Sequence, residues 1–170
     1  MATGDTLAVF TPMANEPPVA NASGTYATLD LRNYHPCLDF DGATDEEAVF
    51  SGILARNYAG GGLTIYLHVG FSSATSGNAY WQAGIERMDD GTLDLDADSF
   101  AAFQGAAGNP NGTSGIMTLV TITFTSGAQM DSLAAGEMFR LKIRRDADGS
   151  VGTDDVTTDG ELFGICIKET

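Results

Sequence analysis

Hydrophobic and polar residues alternate with a period of two along much of this chain. In Leu63–Val69, residues Leu63, Ile65, Leu67 and Val69 share one face, and Thr64, Tyr66 and His68 share the other. Ala79–Met88 repeats the pattern with Ala79, Trp81, Ala83 and Ile85 on one face, including the only tryptophan. Ile116–Thr125 sets Ile116, Thr118, Val120, Ile122 and Phe124 against Met117, Leu119, Thr121 and Thr123. Glu137–Arg145 sets Phe139, Leu141 and Ile143 against Arg140, Lys142 and Arg144, and Glu161–Lys168 places Phe163, Ile165 and Ile167 inward. A period of two carried by β-branched and aromatic residues is what a strand with one face in a core requires.

Shorter runs complete the set. Thr25–Leu31 and Cys37–Phe40 read as strands separated by Arg32-Asn33-Tyr34-His35-Pro36, and Asp41-Gly42 is a turn dipeptide. Ala48–Ala55 carries two signals. Thr44 with Glu47 three residues on resembles a helix capping box, but Gly52 and the branched residues favour a strand. Asp89–Asn111 is polar and small, and reads as a loop with a short turn around Asp98–Phe103. Met1–Gly24 holds Pro12, Pro17 and Pro18 and one apolar run, Leu7–Phe10, which predicts an extended N-terminal arm. The expectation is one all-β domain over residues 25–170, an antiparallel β-sandwich of jelly-roll type with about eight strands; an immunoglobulin-like sandwich is the alternative.

Composition narrows the function classes. At 170 residues the chain is long enough for one domain with a core that needs no disulfide. Its two cysteines, Cys37 and Cys166, lie in apolar runs and are expected to be free thiols. A net charge of −15 argues against a nucleic-acid partner, which needs clustered Lys and Arg. The N-terminus lacks the basic and apolar regions of a signal peptide, and no apolar run is long enough to cross a bilayer. A soluble protein with no membrane partner, assembled in the cytoplasm, is expected.

Candidate chemistry is sparse. Ala59–Gly62 lacks the Lys and Ser/Thr of a phosphate loop and precedes a strand. Asp94, Asp96 and Asp98, and the group Asp146, Asp148, Asp154 and Asp155, have carboxylates at calcium-like spacing. After Asp94, however, the sixth position is Ser99 and the twelfth Gly105, so solvated acidic loops are the expectation. His35, near Cys37, and His68 lack metal-ligand spacing, and no nucleophile elbow is present. No catalytic residue, metal site or cofactor is assigned. Outward-parity residues are more informative. A monomer rarely exposes a contiguous apolar patch, so Met117, Leu119, Met138 and Leu162 are interface candidates, together with Leu7, Val9 and Phe10 of the arm and the basic face Arg140, Lys142 and Arg144.

Three stretches carry a resemblance: LDFDGATDEEAVFSGILARNYAGGGLTIYLHV, NAYWQAGIERM and LAAGEMFRLKIRRDADG…DGELFGICIKE, spanning Leu38–Glu169. They resemble jelly-roll capsid cement (decoration) proteins of tailed bacteriophages and related head or tail fibre domains. The resemblance implies a non-enzymatic virion protein on the outer capsid surface. It would be a homotrimer that clamps the major capsid protein, with its arm reaching a neighbour. The alternative is a receptor- or glycan-binding β-sandwich at a fibre tip, presenting aromatics such as Tyr58, Tyr66, Tyr80 and Trp81.

Overall fold

Each long alternating run is a strand in the computed structural model, which describes residues 4–16 and 25–170. The strands are β1 (Thr6–Phe10), β2 (Thr25–Tyr26), β3 (Thr28–Arg32), β4 (His35–Phe40), β5 (Glu46–Ile53), β6 (Leu63–Phe71), β7 (Tyr80–Met88), β8 (Gln104–Ala107), β9 (Thr118–Phe124), β10 (Met138–Arg145) and β11 (Gly160–Glu169). Among the described residues the only helical segments are two 3-10 turns, Pro12–Ala14 and Ala128–Met130. No helix there is long and apolar enough to cross a membrane.

One sheet runs β3-β4-β11-β6-β9, with β1 also on β11; the other runs β2-β5-β10-β7-β8. The neighbour pairs β4/β11, β5/β10, β6/β9 and β7/β8 are nested antiparallel ribbons. Folding such ribbons over one another produces a jelly roll, so β4–β11 form the expected eight-stranded sandwich. β1, β2 and β3 are additions at its edges.

The sequence reading needs three corrections. Thr25–Leu31 is two strands, because the chain changes sheets at buried Ala27: β2 pairs parallel with β5, and β3 pairs antiparallel with β4. β8 lies in the stretch expected to be a loop; its small residues carry no pattern of their own, and β7 supplies the register. The third concerns Leu162 and Phe163. A bulge between Leu162 and Gly164 reverses parity, so Leu162 points into the core at 1% exposure. The extra residue, Phe163, instead lies on the outer side against Gly70.

The core sits between the sheets. Trp81 has no exposed surface and meets Phe40 edge-to-face at 5.2 Å between centroids. Phe10, from β1, packs within 5.5 Å of Phe50 and 6.3 Å of Phe139, so the N-terminal strand contributes to this core.

At one end of the core, inward parity places Arg145, which is fully buried. All five of its N–H groups have acceptors. Nε and Nη2 grip the Asp154 carboxylate at 3.0 and 2.8 Å, Nη2 also reaches the Val156 carbonyl, and Nη1 donates to the carbonyls of Thr158 (2.7 Å) and Asp41 (3.4 Å). Asp146, also fully buried, accepts from Ser150 Oγ and from the amides of Val151 and Gly152. The loop expected to be solvated therefore has its two most buried carboxylates facing inward as structural acceptors. Tyr80 lies across Gly152, where an added Cβ would fall 2.2 Å from the ring.

Truncating Arg145 would leave the Asp154 charge buried and unpaired. Arg145→Ala is expected to cost about 3–5 kcal/mol, and Arg145→Lys should also destabilise because an ammonium cannot reproduce the planar fork. Urea unfolding of both variants measures this; wild-type midpoints would refute it.

Candidate functional site

The outer face of the five-stranded sheet is the best candidate. Register sets β10 between β5 and β7, so Arg140 lies between Ser51 and Glu86, Lys142 between Val49 and Gly84, and Arg144 between Glu47 and Gln82. Each cation has a fixed acceptor. Arg140 bonds Glu86 at 3.0 Å and Glu16 at 3.4 Å, Lys142 bonds Glu47 at 3.0 Å, and Arg144 Nε and Nη2 donate to Gln82 Oε1 at 2.8 and 2.6 Å. The basic face proposed from parity is thus half-buried and paired.

A strap, Asp98–Phe103, runs along β7 beyond β8, held where the Ala101 amide meets the Ile85 carbonyl at 2.8 Å. Its two rings lean back over the cations. Lys142 Nζ lies 4.5 Å and Arg140 Cζ 5.3 Å from the Phe100 centroid, and Arg144 Cζ lies 4.6 Å from that of Phe103. Gly84 makes this possible, since a Cβ there would stand 3.2 Å from the Phe103 ring.

Between this strap and an opposite wall of Glu16 and Tyr26 is a groove of about 440 Å³. Val49, Glu47, Glu86, Arg140 and Lys142 line it from the sheet, with Asp98, Ser99 and Phe100 from the strap. Burial pushes the Glu86 carboxyl above the ordinary range; Arg140 draws it back, and the Asp98 charge adds to the rise. Two aromatic rings facing a floor of fixed donors and acceptors can hold a polar ligand that also has apolar faces.

The other residues proposed from sequence are scattered. Phe10 and Leu162 belong to the core, and Leu7 packs against it. Val9, Met117, Leu119 and Met138 are exposed. Of the aromatics proposed for glycan contact, Trp81 and Tyr58 are buried, Tyr80 is clasped by its loop, and half-buried Tyr66 is on the opposite sheet beside Lys168. Tyr26 and Phe100 were not singled out as ligand-contacting residues by sequence reasoning. A second, more apolar hollow of about 760 Å³ lies beside the other sheet, lined by Met13, His35, Met117 and Phe163 among others.

Among the described residues two clusters have metal-like proximity, with ligand atoms within 4.8 Å of one another: Cys37, Asp39 and Glu161, and Asp45, Asp146 and Asp148. Asp146 is already satisfied by its own loop. At the first cluster, burial pushes the Cys37 thiol up to about 12, so a metal would have to displace a firmly held proton. His35 and His68 are exposed and belong to neither cluster. Cys37 and Cys166 are free.

No family model matches the chain, and no curated protein matches it. A solved structure does share its fold. The CBM22-1 xylan-binding domain of Paenibacillus barcinonensis Xyn10C aligns with a TM-score of 0.50 at 15% identity, covering 99% of this chain and 97% of that one. A xylan-binding module described as CBM15 aligns at 0.49 and 13% identity, covering 96% and 97%. At such identities the likeness is one of fold.

The Asp39 cluster has a consequence for pH. Burial, then the charges of Glu161, Asp30 and Asp159, raise the Asp39 carboxyl to about 6. A carboxyl whose folded value is raised stabilises the fold below its unfolded value, and that contribution is lost as pH climbs through the folded value. Asp39→Asn is therefore expected to stabilise the protein at pH 7 by roughly 1–2 kcal/mol after solvent screening, with the gain gone near pH 4. Urea midpoints at the two pH values test this, and an equal gain at both would refute it.

Proposed function

We propose that this chain is a non-catalytic carbohydrate-binding β-sandwich that holds a glycan chain in the groove between Tyr26 and Phe100. The juxtaposition of these rings with a hydrogen-bonding floor carries the reading. A sugar ring presents apolar C–H faces that pack on aromatics and hydroxyls that need directional partners, and the groove offers both. Its long cationic side chains are already ordered by Glu16, Glu47 and Glu86, so a ligand does not bear the entropy of fixing them. A solved domain of this fold is described as xylan-binding, which makes xylan the first ligand to test.

A second reading is favoured by the other sheet. Val9, Met117 and Leu119 are 65%, 51% and 53% exposed on or beside its outer face. Such side chains suit an interface between copies of the chain, as in a trimeric virion protein seated on a capsid surface against the major capsid protein.

Calorimetric titration with xylan oligosaccharides should detect binding. Phe100→Ala should weaken it about tenfold, as expected for losing one stacking face. Tyr66→Ala, on the opposite sheet, should leave it unchanged. Full affinity in Phe100→Ala, or silence towards xylan and towards neutral and charged polysaccharides alike, would sink the carbohydrate reading. For the second reading, light scattering of the purified protein should give three chain masses; a monomer throughout the micromolar range would dismiss a preformed trimer.

A further inference from the structure

We propose that the groove selects its glycans by charge, favouring amine-bearing over uronate-bearing chains, with Asp98 as the residue that sets the preference. The inference rests on the carbohydrate reading of the same groove. Its lining holds four carboxylates, Glu16, Glu47, Glu86 and Asp98, against two cations, Arg140 and Lys142. Arg140 is shared between Glu16 and Glu86, and Lys142 is bound to Glu47. Asp98 has no ion-pair partner among the described residues. Its Oδ1 accepts the Ser99 amide at 2.9 Å, while its Oδ2 is shut off from solvent and has no hydrogen-bond partner there.

A buried carboxylate oxygen without a donor is an unmet demand. Asp98 lines the groove and is its one carboxylate without an ion-pair partner among the described residues, so a ligand ammonium there would offset its surplus charge. A uronate would meet the opposite situation. Both nearby cations are occupied, Glu86 is already crowded by Asp98, and the chain as a whole carries −15. Like charge brought into a partly desolvated groove is repelled, and salt screens the effect.

The test titrates the full chain with three probes of one backbone at about pH 6, where a sugar amine is largely protonated. They are xylohexaose, the same chain carrying uronate branches, and the same chain carrying amino-substituted units. The amino chain should bind at least tenfold more tightly than the uronate chain. The ratio should fall towards one in Asp98→Asn and, for the wild type, in 1 M salt. Uronate binding as tight as amine binding would overturn the charge preference and leave the carbohydrate reading standing. A ratio unchanged in Asp98→Asn would overturn the assignment to Asp98. If none of the three bound, the carbohydrate reading would fall and the preference with it.

Discussion

A guanidinium with no access to water holds one end of this sandwich together. Arg145 occupies the last inward position of β10, where alternation calls for an apolar side chain, and the desolvation cost is offset only because every N–H has an acceptor. The acceptors come from Asp41, which precedes β5, and from the Asp154–Thr158 segment, which leads into β11. Asp154 also receives the Tyr80 amide, and Asp155 binds Asn78, so the same loop is fastened to the start of β7. Gly160 then lets β11 begin against Trp81, where a Cβ would lie 2.8 Å from the indole. β7 and β10 thus start and end on one anchor. Their register is what aligns Arg140, Lys142 and Arg144 with Glu86, Gly84 and Gln82 on the opposite face.

Much of this architecture was legible in the sequence because one-sided burial imposes a period of two. β6, β7, β9 and β10 are long enough for that period to be unmistakable. What stayed hidden depends on pairing rather than periodicity. At Ala27 the chain leaves one sheet for the other without breaking its alternation, and only the hydrogen-bond partners reveal the change. β8 has small, weakly patterned residues at a sheet edge. The bulge beyond Leu162 inserts one residue, and a one-residue shift exchanges the two faces; Leu162 and Phe163 were therefore assigned to the wrong sides.

The candidate site was less legible, for a different reason. Its floor was visible as a basic strand face, but its partners arrive from segments far apart in the chain: Glu16 from before β2, Glu47 from β5 and Glu86 from β7. Phe100 and Phe103 lie in a stretch of small and acidic residues with no period at all. Nothing local shows that they fold back over β10; that follows from β8 pairing with β7 and from the space left by Gly84. Of the aromatics that stood out in sequence, Tyr66, Tyr80 and Trp81 lie in long strands, where alternation turns Trp81 into the core, and Tyr58 is buried in the connection between β5 and β6.

Pairing the cations shapes what the groove can offer. A stripe of free Arg and Lys in so acidic a chain would attract any anion, but here each cation is committed to an acceptor and sits under a ring. Little side-chain entropy remains to be lost on binding, and little unpaired positive charge remains to be gained. On the carbohydrate reading, binding of an uncharged unit would rest on aromatic faces and fixed hydrogen-bonding groups with modest affinity per site, and the unpaired Asp98 would add the preference for amine-bearing over uronate-bearing units. Strength would come from repetition. The exposed apolar residues Val9 and Leu119 are on the opposite sheet, so copies of the chain could associate there while every groove stayed open.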